Sequence, residues 1–217
     1  LRLASGSGDR KVRVFDPIEG GEALVVLDAG GDPDALVAFK DQATGALRLA
    51  TSSGKVFDPV AGGEALVVLK GCGGLSVAFT DPATGEPRLV SGSGDGTARV
   101  WNPATSGAAI ETEPEGQVDD VKALLTFLDP ATGMLRVVTG SKDEIRVWDA
   151  ETGGALLVID VGADANALAF FADPATGAPR LACGCHDDKV RVFDPVAGGE
   201  ALLVINVGSW VHSLVVF

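Results

Sequence analysis

The sequence predicts an all-β fold of five repeated, four-stranded antiparallel sheets, and three observations carry that prediction. One segment is written five times: RLASGSGDRKVRVFDP from Arg2, RLATSSGKVFDP from Arg48, RLVSGSGDGTARVWNP from Arg88, RVVTGSKDEIRVWDA from Arg136 and RLACGCHDDKVRVFDP from Arg180. The copies start 46, 40, 48 and 44 residues apart, the period of an array of sheets that bury their faces by stacking on one another. Ten of the twelve Phe and Trp residues fall at two equivalent places. Phe39, Phe79, Phe127, Phe171 and Phe217 end one strand of the unit, and Phe15, Phe57, Trp101, Trp148 and Phe193 end another. Rings recurring at fixed positions are expected to fill the space between neighbouring sheets. Finally, 29 glycines and 11 prolines accompany 46% hydrophobic residues, a composition suited to short strands and tight turns.

The elements of one copy follow in order. ALVAFK (Ala35–Lys40) is a short apolar strand. It enters DQATG, which becomes DPATG at Asp81, Asp129 and Asp173; Asp in front and a positive-φ Gly behind close a tight turn. The next strand, LRLATS, ends in small residues. KVRVFDP comes third, its valines alternating with Arg13 and Phe15, and a DPxxGGE turn leads to the fourth strand, EALVVL (Glu22–Leu27). Each copy is therefore a meander, and the array predicts a five-bladed β-propeller. A single domain over 1–217 is expected: blade 1 at 1–27 plus a closing strand at 211–217, then blades at 34–69, 75–112, 120–160 and 166–206. SLVVF at the C-terminal end has first-strand character and LRLASGSGD at the N-terminal end has second-strand character. The C-terminal strand is accordingly expected to pair with the N-terminal strands and close a ring, which removes the free sheet edge.

SGSGDGTARVWNP (Ser91–Pro103) and TGSKDEIRVWDA (Thr139–Ala150) resemble the WD-repeat family, in which small residues precede an Asp and a Trp-Asp pair ends the third strand. The resemblance implies a β-propeller whose usual role is to hold several proteins together. Only Trp148–Asp149 is a literal Trp-Asp; Phe15–Asp16, Phe57–Asp58, Trp101–Asn102 and Phe193–Asp194 stand in the other copies. Asp9, Asp95, Asp143 and Asp187 match the family's turn Asp, which a deletion removes from the second copy. The family's Gly-His pair is missing from every copy, so its His–Asp–Ser/Thr–Trp hydrogen-bond network is expected to form only in part.

Charge and composition narrow the function. With 30 acidic and 17 basic residues the formal net charge is −13, which repels phosphate backbones and argues against nucleic acid. The most apolar stretch, Ala201–Phe217, is broken by Asn206, Gly208, Ser209 and His212 and matches strand–turn–strand segments elsewhere, so burial in the fold is expected rather than a membrane. A signal-peptide pattern is missing and the three cysteines make an odd count, which points to a reducing, cytoplasmic setting.

No cofactor, metal or catalytic centre is expected. Cys183, Cys185 and His186 offer three ligands where structural zinc takes four, and the two cysteines stand where the first copy has Ser5 and Ser7. Cys72 reads as an inert loop or core thiol. Neither His186 nor His212 lies near a G-x-S-x-G nucleophile, and SGSGDG lacks the Lys-Ser/Thr ending of a phosphate loop. Arg13, Arg99, Arg146 and Arg191, with Lys55 in the second copy, are expected to extend along sheet surfaces and pair with turn acids.

What varies between copies is the turn joining the second and third strands. Variation at a fixed scaffold position is where specificity is installed. Asp9, Arg10, Lys11, Asp95, Asp143, Glu144, His186, Asp187 and Asp188, together with the unrepeated Trp210, are therefore the candidate protein-binding residues. The favoured reading is a non-enzymatic scaffold that binds other proteins on this rim, as a monomeric ring or as a subunit of a larger assembly. A five-bladed carbohydrate-binding propeller is the alternative, although a multivalent lectin repeats its site in every blade and these loops differ. A duplicated or designed propeller with no selected ligand is the third.

Overall fold

The alternating segments become eighteen β-strands in the computed structural model, which describes residues 1–72, 74, 76–82, 84–92, 97–105 and 120–216. No helix occurs among the described residues, and so none is long and apolar enough to cross a membrane. The first sheet is β1 (Leu3–Ser7), β2 (Lys11–Phe15) and β3 (Val25–Asp28), in that order. The second is β4 (Leu36–Lys40), β5 (Leu47–Thr51), β6 (Lys55–Phe57) and β7 (Val67–Val68). The third holds β8 (Ser76–Thr80), β9 (Pro87–Gly92) and β10 (Ala98–Trp101). The fourth is β11 (Ala123–Leu128), β12 (Leu135–Gly140), β13 (Glu144–Asp149) and β14 (Ala155–Asp160), and the fifth β15 (Ala165–Ala172), β16 (Pro179–Cys185), β17 (Lys189–Phe193) and β18 (Leu203–Asn206). The pairings are antiparallel and join strands adjacent in sequence, as a meander requires.

Two compact units divide the chain. One comprises residues 1–91 and 99–105 of those described and carries the first three sheets apart from Gly92 and Ala98; the other comprises 92–98 and 120–216 and carries the fourth and fifth. Within each unit the cores lie between consecutive sheets. Val12 and Leu27 of the first sheet meet Leu49 and Phe57 of the second. Val56 and Leu69 of the second meet Leu89 and Trp101 of the third. Ile145 and Ile159 of the fourth meet Leu181 and Phe193 of the fifth. Each junction thus sets branched residues from the third and fourth strands of one sheet against a Leu and an aromatic ring of the next. The Leu and the ring are direct cross-strand partners, as in Leu49–Phe57 and Leu181–Phe193, a pairing that stiffens the sheet as well as filling the core.

The recurrent turns owe their shape to Asp. Asp173 accepts from the backbone N–H groups of Ala175 and Thr176 through Oδ1, while Gly177, at φ 71°, donates its N–H to the Asp173 carbonyl. Asp16, Asp58, Asp149 and Asp194 do the same in the turn after the third strand. In three copies the opening Arg reaches both turns. Arg136 lies 3.4 Å from Asp129 and 2.6 Å from Asp149; Arg48 lies 3.9 Å from Asp41 and 3.2 Å from Asp58; Arg180 lies 3.6 Å from Asp173 and 4.0 Å from Asp194. Asn102 replaces the second acid in the third sheet, and there Arg88 pairs with Glu86 and Asp81.

Several expectations are corrected. The fourth strand of the first sheet begins at Val25 rather than Glu22, because the turn extends to Leu24, whose N–H already bonds the Val14 carbonyl. The first sheet has three strands, and residues 207–216 carry no strand; no closing strand is formed over the described part of 211–217. Phe217 lies outside the described residues, as does the segment 106–119 where the fourth strand of the third copy was expected.

Candidate interaction rim

The turns between second and third strands share one backbone. Arg10, Asp143 and Asp188 stand at equivalent places with φ of 63°, 63° and 64°, and Gly54 occupies the same place at 80°. A left-handed backbone is costly for a residue with a Cβ, least so for Asp, and persists only where the surroundings enforce it. The enforcing contact repeats: the carbonyls of Arg10, Gly54, Asp143 and Asp188 accept the N–H groups of Ala29, Leu69, Val161 and Val207 at 2.7–3.0 Å. Each turn is thereby fastened to the chain leaving the fourth strand of its own sheet.

The acids preceding that position lock the turn from the other side. Asp9 accepts from the Ser7 hydroxyl, from the Lys11 N–H at 3.1 Å and from Arg13 at 2.6 Å. Its carboxyl is held far below the ordinary range by the Arg13 hydrogen bond first and the Ser7 bond next. Asp187 accepts two bonds from Arg191, at 2.9 and 2.6 Å, which lower its carboxyl likewise. Lys11 reaches Asp28 at 3.2 Å. Glu144 pairs with Arg146 at 2.6 Å, whose guanidinium lies 5.8 Å from the Trp148 ring centre. The expected pairing of Arg13, Arg146 and Arg191 with nearby acids therefore holds, and Lys55 bonds instead to the Asp28 carbonyl. Asp95 lies outside the described residues.

His186 and Trp210 come together. Their rings stack with centres 4.3 Å apart, Trp210 being 58% exposed, and His212 meets His186 edge-on at 6.2 Å. Asp164 sits beneath: its carboxylate is 3.9 Å from His186 Nδ1 and accepts from Lys122. Asp164, His212 and Lys122 escape sequence reasoning because their meeting with His186 joins separate segments of the chain. Cys183 and Cys185 are fully buried free thiols with sulfurs 3.5 Å apart. That contact and burial push the Cys183 thiol up, which suits a packed core thiol rather than a ligand. No cluster of three or more His, Cys, Asp or Glu with metal-site geometry occurs among the described residues.

Where an indole ends the third strand, it finds a hydroxyl on the second. Trp101 Nε1 donates to Ser91 Oγ and Trp148 Nε1 to Thr139 Oγ1, both at 2.9 Å. This is the Ser/Thr–Trp half of the network that the family resemblance implies. Residues 63–102, which include the first of these pairs, match the family model described as WD domain, G-beta repeat. They resemble a WD repeat. The fold is that of WD40 β-propeller domains. The WD40 β-propeller domain of Doa1 superposes with TM-score 0.70 at 18% identity, covering 98% of this chain and 67% of that one. A chain of the mitotic checkpoint complex superposes with TM-score 0.73 at 18% identity, covering 98% and 64%. The chain thus spans about two thirds of the length of these solved relatives in fold. Among curated proteins none matches.

Proposed function

We propose that this chain is a non-enzymatic protein-interaction scaffold, that its five sheets are the five blades of a propeller, and that partners dock on the rim of second-to-third-strand turns. One observation carries the reading. Arg10 is opposite in charge to Asp143 and Asp188, yet all three share φ to within a degree and the same carbonyl tether. A rim that changes its side chains on an unchanging backbone is built to present chemistry rather than to pack. The exposed Trp210 against His186 adds an aromatic anchor of the kind that dominates interfaces. The likeness to a WD40 domain and to a chain of a multiprotein complex supports the same class of role.

The test compares wild type with the Arg10→Glu/Asp188→Lys double variant as immobilised baits, with circular dichroism verifying that both fold. Proteins released by salt from wild type and lost from the variant are the expected result. Equal capture by the folded variant rules this rim out, and release by a free sugar instead of salt turns the reading toward a lectin.

A further inference from the structure

The fourth and fifth sheets, which share one compact unit, enclose a cavity at the end away from the rim. In a meander the turns after the first and third strands lie together, opposite the second-to-third-strand turns. At that end the cavity measures about 120 Å³, the room of about four waters. Phe127, Val147 and Leu157 of the fourth sheet and Pro195 and Val196 of the fifth make its apolar wall. Packing holds the wall in place. Phe127 stacks on Phe170 with ring centres 4.6 Å apart. Gly198, at φ 69°, lets its turn close on Leu157, where a Cβ would come within 2.6 Å of that side chain. Leu156 and Val196, both half-exposed, flank the mouth.

Asp129 and Arg136 line the same cavity, and Asp129 is only 5% exposed. A carboxylate offers about four acceptor sites. Three donors reach this one: the Ala131 N–H at 3.0 Å, Thr132, and Arg136 at a long 3.4 Å. One site is left for a donor entering through the cavity. Charge favours a cation there, because Asp129 and Asp149 share the single guanidinium of Arg136. The turns at this end add Glu151, Asp173, Asp194 and Glu200 against Arg180 alone. A wholly apolar occupant would cover Asp129 without supplying a donor, at a cost in desolvation. A guanidinium fork wants both oxygens of a carboxylate, and Oδ1 already accepts from Ala131. An ammonium donates from the tip of a slim apolar stem that the wall can cover.

We propose that this cavity is a second binding site, separate from the rim, and that it takes the side chain of a lysine on a partner protein. The methylenes lie along Phe127, Leu157 and Val196, and the ammonium donates to Asp129.

The test follows the methyl resonances of Val147 and Leu157 in the full chain. N-acetyl-lysine N-methylamide should shift them with a Kd of about millimolar order. The norleucine analogue, which lacks the ammonium, should bind on the order of tenfold more weakly. Val196→Phe, at a half-exposed turn position and checked for folding by circular dichroism, should abolish the shifts by filling the mouth. Asp129→Asn should bring the lysine compound down to the norleucine value, and Arg10→Glu/Asp188→Lys should change nothing. Equal affinity for the two compounds overturns the proposal, as do shifts that survive Val196→Phe or no shift with either compound. Shifts with n-butylammonium but none with the blocked lysine overturn it in favour of a free amine.

Discussion

Trp148 donates its indole N–H to Thr139 Oγ1 across the β12–β13 pair, with both side chains buried. The same place in the fifth sheet holds Phe193 and Cys183. A ring without an N–H needs no hydroxyl opposite it, and a small apolar thiol suffices. The fifth sheet has lost hydroxyl and indole together, whereas the second keeps Thr51 with Phe57 and turns that hydroxyl to Ser53 and the Lys55 carbonyl.

Replacing Thr139 by Val leaves that buried N–H without its acceptor and should cost about 1–3 kcal/mol. A double-mutant cycle with Trp148→Phe, followed by urea denaturation, should recover much of the loss, because the pair is then removed as a unit. Additive losses in that cycle would show the bond to be energetically idle.

Arg136 holds Asp129 and Asp149, and all three side chains are well shielded from solvent. Arg136→Met strands both carboxylates and should cost about 2–4 kcal/mol. Arg2, 47% exposed and paired with Asp16, should lose less than about 1 kcal/mol on the same change. Thermal unfolding of the two variants side by side checks the ratio.

The left-handed turn positions differ in how much strain they carry. Arg10→Gly should stabilise by about 0.5–1 kcal/mol, the relief of the Cβ clash outweighing the extra freedom of the unfolded chain. Asp188→Gly should be close to neutral, since Asp tolerates that backbone. Chemical denaturation of both variants distinguishes the two cases.

Acid should unfold the protein through its turn aspartates. Asp16, Asp41, Asp58 and Asp173 are lowered by the backbone N–H groups they cap, and Asp187 by Arg191. Each binds a proton more weakly folded than unfolded, so its contribution is complete above the unfolded value of about 3.9 and is lost as pH falls through the lower folded value. The melting temperature should hold from neutral pH down to about 4 and then drop steeply. A flat profile below that point would contradict the capping geometry.

Gly140 tests the junction between the fourth and fifth sheets. A Cβ there would sit 2.8 Å from the Ala165 carbonyl oxygen, a backbone atom with little room to give, whereas one on Gly8 meets nothing. Gly140→Ala should cost about 1–3 kcal/mol and Gly8→Ala far less, as denaturant titration would register.

Much of this was legible in the chain. Repetition of the Arg-Leu segment, the DPATG turns and the ring positions predict the sheets, because each is a local pattern repeated five times or nearly so. The left-handed backbone at Arg10, Asp143 and Asp188 was not legible, because it comes with carbonyl tethers some twenty residues away in sequence. The meeting of His186, Trp210, His212 and Asp164 left no trace, since it joins separate segments and occurs once. Residues 211–216 alternate like a strand, but a strand also needs a neighbouring edge, and alternation cannot supply one.

The Arg–Asp clasps have a consequence for how such a chain grows and shrinks. The acids paired with Arg48, Arg136 and Arg180 all lie within fourteen residues of their arginine. Every clasp is thus complete inside one genetic segment of roughly the repeat length. Unequal recombination that adds or deletes a copy carries each clasp along whole, so copy number is free to drift without breaking any of them.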